Sequence, residues 1–170
     1  IDSTPLYSLI ETVARLQREA GSGALVRIVD MQTPMDIAAL IWDKNTFLVA
    51  MLEEPEAVRE LAEKVLVLVR EFMDLWVNTF GTTFVAHCPD YILSSGISLS
   101  VDEIGIVGPD AFEEFFLPEL SALSNRYNGL GVHCCANARH QWEGLRRLPG
   151  LRVLNFVQPE PILDEAVPFF

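Results

Sequence analysis

Along this chain, apolar residues recur at helical spacing in long stretches, and short β-branched runs lie between those stretches. Leu6, Leu9, Ile10, Val13 and Leu16 form one stripe, which predicts a helix over residues 3–20. Ser3 or Thr4 can cap it, Pro5 sits in its first turn, and Gly21 and Gly23 stop it. "TPMDIAALIW" starts a second helix, with Thr33 as cap and Pro34 at the first position, and "NTFLVAML" a third. The longest helix is predicted over 55–79, where Val58, Leu61, Ala62, Val65, Leu68, Val69 and Phe72 share a face. Strands are predicted at "ALVRIVD" (24–30), "TTFVAH" (82–87), "GISLSVDE" (96–103), "LGVHCC" (130–135) and "LRVLNFV" (151–157). Two more helices complete the pattern. One spans 108–127, with acids in its first turn and a kink expected at Pro118; the other spans 137–150, between an Asn137 cap and a Gly150 stop.

Strands alternating with helices imply βα units on a parallel sheet, so the fold class is α/β. Five predicted strands fall short of a closed (β/α)8 barrel, which has eight strands and roughly 250 residues. A doubly wound open sheet could be built from five, but no Gly-rich phosphate loop follows any of these strands. Neither a linker nor a repeat divides residues 1–170, which read as one domain.

Charge narrows the function classes. With 24 acidic against 12 basic residues, the net charge is -12 over 170 residues. Nucleic acid and anionic membrane surfaces both demand clustered cations, so neither is an expected partner. No apolar run approaches the roughly 18 residues of a membrane span, and no basic segment followed by an apolar one marks a secretory signal. Three cysteines, two of them adjacent, make no disulfide framework, and a reducing, cytoplasmic setting is expected.

In parallel α/β proteins the chemistry gathers at the carboxyl ends of the strands. Those ends carry Asp30, Gln32, His87, Asp102, Glu103, His133, Cys134, Cys135 and Asn155. Side chains alternate along a strand, so His133 and Cys135 point one way and Cys134 the other. Imidazole and thiolate at i, i+2 could form half of a zinc site, with Cys134 a small buried hydrophobe. The plainer reading is a buried cysteine beside a hydrogen-bonded histidine, because zinc needs at least three protein ligands. A vicinal Cys134–Cys135 disulfide is a further option. Asn137, as a helix cap, would set free N–H groups beside the same point. Ser98, Ser100 and Asp102 mark either an exposed strand face or an inward polar face at a barrel mouth. His87 and Cys88 diverge at i, i+1 and form a weak source of a third ligand. The acids of 53–63 read as a solvated helix face, Phe112, Phe115 and Phe116 as core, and His140 as surface.

Several segments together resemble the uroporphyrinogen decarboxylase superfamily. These are "TPMDIAALIW" with "FLVAMLEEPEAVRELAEKV", then "GISLSVDEIGIVGPDAFEEFFLPEL", then "GVHCCANARHQWEGLRRLPGLRVLNF", in the family's order between about residues 24 and 157. The resemblance implies a (β/α)8 TIM-barrel type of fold, of which this chain covers only part, with its site at the strand carboxyl ends. The superfamily holds a metal-free decarboxylase of tetrapyrrole biosynthesis and a branch of zinc methyltransferases that work with corrinoid proteins. The methyltransferase branch carries His-x-Cys on a strand and another Cys on a later one. By that likeness His133 and Cys135 are zinc ligands, Asp102 a ligand or an orienting acid, and Asn155 a substrate contact. The co-substrate would be a methylcorrinoid on a partner protein, and a small-molecule thiol the acceptor. The decarboxylase branch relies on an Arg-rich segment that is not found here. Departures from the methyltransferase pattern are Ala136 in place of the usual Gly and the lack of any Cys after Cys135. A third possibility is a non-catalytic relative whose His–Cys pair is structural or redox-active.

Overall fold

Prolines and capping oxygens open the helices much as the sequence predicts. The computed structural model describes residues 1, 3–21, 23–88 and 90–170. Helix α1 spans Pro5–Ala20, α2 Pro34–Trp42, α3 Lys44–Glu53 and α4 Pro55–Phe80. Thr33 Oγ1 accepts the Asp36 N–H (3.1 Å) to cap α2, and Asp43 Oδ1 accepts the Thr46 N–H (3.2 Å) to cap α3. The stripe of α4 turns Val58, Ala62, Val65, Val69 and Phe72 inward, and the acids of 53–63 face solvent.

The strands depart further from expectation. β1 (Phe84–Val85) and β2 (Ile92–Leu93) form a small antiparallel hairpin, and β3 (Ile97–Ser100), β4 (Leu130–Cys134) and β5 (Leu151–Phe156) form a parallel sheet in the order β3-β4-β5. In place of the strand expected over 24–30 there is an extended segment that runs on to Thr33 and touches its neighbours at two points. Arg27 bridges Val85, and Gln32 bridges Ser100, both in parallel. Its hydrogen bonds are divided in the same way: Ile28 N–H reaches Val85 O (3.0 Å), whereas Thr33 N–H reaches Ser100 O (3.1 Å). Crossing from one partner to the other leaves too short a run on either for a ladder. β2 was not expected, since two residues carry no detectable period.

Helical segments differ as well. The stretch expected over 108–127 runs as α5 (Pro109–Ala111), a π turn (Phe112–Phe116) and α6 (Leu117–Tyr127). Pro118 has no N–H for the turn before it, and the wider π turn takes up the mismatch that was expected as a kink. The helix expected over 137–150 shrinks to a 3-10 turn (Arg139–Gln141) and α7 (Trp142–Arg146). The turn starts from Ala138 without a side-chain cap, so the expected Asn137 cap is displaced: its Oδ1 accepts the Arg139 N–H (3.2 Å) from one residue before the turn. A final helix, α8 (Glu160–Phe169), was not expected, because Pro161 and Pro168 break its signal.

One face of the parallel sheet is apolar. Ile97, Leu99, Leu130, Val132 and Cys134 join Phe112, Phe116, Leu120 and Leu123 in the core. The opposite face carries Ser98, Ser100 and His133, only 4%, 5% and 6% exposed, so these serines belong to an inward polar face. The architecture is α/β with an open parallel sheet, consistent with an arc of a barrel; the sheet does not close. Among the described residues no helix is long and apolar enough to cross a membrane.

Candidate functional site

Strand register assembles the polar face. Ser100 pairs with His133, His133 with Asn155, and Gln32 bridges Ser100. Partners in register on parallel strands share a face, so these four residues form one row across the carboxyl ends. Ser98 lies one pleat below, and Cys135 one pleat above on the exit from β4.

Within the row the side chains touch. Asn155 Oδ1 lies 2.5 Å from His133 Nδ1. A carboxamide oxygen can only accept, so Nδ1 carries the proton and Nε2 is left with its lone pair. That lone pair faces Cys135 Sγ at 3.0 Å, where the thiol donates to it. The backbone N–H of Cys135 donates to Asp102 Oδ1 (2.8 Å). Each of the four residues singled out in the sequence therefore touches at least one other, from three different strand ends.

A second cluster adjoins the row. The Ser100 hydroxyl donates to Asp30 Oδ1 (2.8 Å), and His87 Nε2 lies 3.5 Å from Asp30 Oδ2. Arg27 holds this corner by donating to His87 O (2.8 Å) and pairing with Asp90 (2.8 Å). Beside Asp30 and Gln32 opens a cavity of about 490 Å³, lined otherwise by apolar side chains that include Leu6, Ile37, Leu68 and Phe72. Its size lies in the range of small-molecule pockets.

Electrostatics at the thiols follow the strand alternation. Loss of solvent and the charges of Asp102, Cys88 and Asp30 raise the Cys135 pKa. Burial pushes the Cys134 thiol up to about 12. Cys134, Cys135 and Cys88 are all free thiols, so the vicinal disulfide does not form. Glu103, expected near the row, turns away into the protein and pairs with Lys44 (2.5 Å). His140 is exposed, as expected, with Nε2 on Val107 O (2.9 Å).

Sequence reasoning missed Asp36. This acid, 1% exposed, accepts the Glu103 N–H at Oδ1 (2.9 Å) and the Asp102 N–H at Oδ2 (3.2 Å). The available signal was an acid among apolar neighbours in "PMDIAAL", where a first-turn carboxylate serving its own helix would be solvated.

Whether zinc suits these residues depends on the donors. Tetrahedral zinc with ordinary Zn–N and Zn–S bonds sets nitrogen and sulfur about 3.5 Å apart. His133 Nε2 and Cys135 Sγ, 3.0 Å apart, would need to open by about half an ångström. The Nδ1–H···O bond to Asn155 leaves Nε2 free, as the outer hydrogen bond of a metal-binding histidine does. Among the described residues, however, no group of three or more His, Cys, Asp or Glu side chains could hold a metal ion. Two donors fit, and the set is incomplete.

No protein-family model and no curated protein matches this chain. Among solved structures it is similar to a methyltransferase from Methanosarcina mazei, with a TM-score of 0.67 at 13% identity. The likeness covers 86% of this chain and 40% of that one, and it is a likeness of fold.

Proposed function

We propose that this chain is part of a zinc-dependent methyltransferase with a uroporphyrinogen decarboxylase-like (β/α)8 barrel, acting on a small-molecule thiol with a corrinoid protein as partner. The observation that carries the reading is the convergence of His133 Nε2 and Cys135 Sγ at the carboxyl end of the central parallel strand. The fold shared with a solved methyltransferase supports it.

In this reading His133 and Cys135 hold zinc, and among the described residues no third donor is grouped with them. Bound there, zinc would lower the pKa of the acceptor thiol and present it as a thiolate to a methyl group on cobalt. Asn155 acts on the ring: by accepting from Nδ1–H it keeps Nε2 unprotonated and aimed at the site. Asp102 is the orienting acid, since its Oδ1 anchors the Cys135 backbone. The cavity beside Asp30 and Gln32 has room for the body of a small acceptor.

Metal analysis of the purified protein tests this directly. About one zinc per full-length chain is expected, lost in His133→Ala and in Cys135→Ala. Protein that stays folded without metal and refuses added zinc overturns the reading. A second reading draws on the incomplete donor set: a non-catalytic relative in which the thiol simply donates to His133. It predicts that Cys135→Ala leaves any assayed methyl transfer unchanged.

A further inference from the structure

The carboxyl group of Asp36 is spent on a neighbouring loop. Its helix, α2, is already served at the N-terminus, because Thr33 Oγ1 takes the Asp36 N–H (3.1 Å) and Glu119 Oε1 takes the Met35 N–H (3.2 Å). Both Asp36 oxygens turn instead to the loop after β3, accepting the Asp102 and Glu103 N–H groups (3.2 and 2.9 Å). Asp102 Oδ1 then accepts the Cys135 N–H (2.8 Å), and the Cys135 thiol faces His133 Nε2 (3.0 Å). Two consecutive links thus join α2 to Cys135, and a third joins its thiol to His133.

Burying a carboxyl group this deeply is costly unless its hydrogen bonds repay the loss of water. A hydroxyl would serve a helix start at far lower cost, so the two loop amides are what this acid is placed to hold. The rest of the loop is held from the other side. Gln141 Nε2 donates to Ile104 O (3.1 Å) and Val107 O (2.7 Å), and Gly105 packs directly on Ala136. Removing Asp36 therefore releases residues 102 and 103 while 104–107 keep their anchors.

We infer that Asp36 is a positioning residue, which sets the place of Cys135 beside His133 by fixing Asp102. The inference rests on the reading of His133 and Cys135 as the site. It concerns a residue that touches neither of them.

Amide hydrogen exchange on Asp36→Ala and Asp36→Asn tests the relay without requiring a metal. In Asp36→Ala the amides of Asp102, Glu103 and Cys135 should exchange at least about tenfold faster, whereas those of β4 up to His133 keep their rates. Asp36→Asn, nearly identical in shape and able to accept one of the two bonds, should fall between; it carries the test if the alanine variant does not fold. A Cys135 amide that keeps its wild-type rate while Asp102 and Glu103 speed up overturns the relay. Cobalt(II) titration then separates this role from the metal reading. If the wild type shows no thiolate-to-cobalt absorption, the zinc reading falls and the exchange result alone decides on Asp36. With the absorption present, Asp36→Ala should bind cobalt about 10- to 100-fold more weakly. Equal affinity overturns the positioning role.

Discussion

Gly105→Ala should break the contact between the two loops that carry Asp102 and Cys135, and Ala136→Gly should restore it. A methyl group placed on Gly105 would meet the Ala136 Cβ at 2.3 Å, with the Ala136 Cα next at 3.6 Å. Carbon atoms rest about 3.5–4.0 Å apart, so the loops must separate by roughly 1.2–1.7 Å. Neither methyl can rotate away, since each is fixed to its backbone. Overpacking of this kind costs about 1–3 kcal/mol, and each kcal/mol lowers the melting temperature of a chain this long by roughly 2–4 °C. Ala136→Gly removes the obstructing carbon, leaving an ordinary contact at the Ala136 Cα. In that background Gly105→Ala should be neutral, or stabilising by up to about 1 kcal/mol, because alanine restricts the unfolded chain. Urea unfolding of the wild type, both single variants and the double variant gives the coupling energy, expected at about 1–3 kcal/mol. Single effects that add to within about 0.5 kcal/mol would refute the reasoning, since they would mean that the loops do not press on each other.

Three further outcomes can be measured on the same protein. Iodoacetamide applied to the native state should modify Cys135, which is exposed, and spare Cys134, whose burial pushes its thiol up to about 12; peptide mapping that finds Cys134 labelled as fast as Cys135 would reverse the strand assignment. Nitrogen-15 NMR of the His133 ring should show the proton on Nδ1 in the wild type and a mixture of tautomers in Asn155→Ala, and a wild-type ring protonated only at Nε2 would contradict the Asn155 contact. Burial, opposed by the bonds from Glu103 and Thr33, raises the Asp36 pKa from 3.8 to about 7, so the folded state holds this proton more tightly than the unfolded state. Its contribution is full below pH 3.8 and is lost as pH rises through about 7. Asp36→Asn should therefore gain on the wild type by about 1.4 kcal/mol per pH unit across that window, and an unfolding difference equal at pH 5 and 7 would exclude the shift.

What could be read from the sequence follows the range of the forces involved. Alternation along "LGVHCC" is local, and it correctly separated Cys134, in the core, from His133 and Cys135 on the other face. Helix starts at Pro5, Pro34 and Pro55 were legible for the same reason, since caps and prolines act within one turn. Residues 24–30 were not legible, because an apolar run does not reveal that it will bond Val85 while Met31 and Thr33, just after it, turn to Ser100. Asp36 escaped notice because its partner Glu103 lies 67 residues away. The register that sets Asn155 against His133 depends on how two strands align, which neither sequence states alone.

The candidate site shows the same division, and this bears on how much the motif itself is worth. Any strand bearing His-x-Cys turns both side chains to one face, so the local pattern is compatible with an incidental pair. Incidental pairs do not require their neighbours to be arranged around them. Here β5 supplies an oxygen that fixes the imidazole tautomer, and the loop after β3 supplies one that fixes the thiol's backbone. A buried acid on a separate helix in turn holds that loop. Each of these contacts is long-range, and together they surround a His133 Nε2 and a Cys135 Sγ that lie 3.0 Å apart. Support of that kind around a His–Cys pair is what preorganises a site, and it is absent from the sequence motif taken by itself.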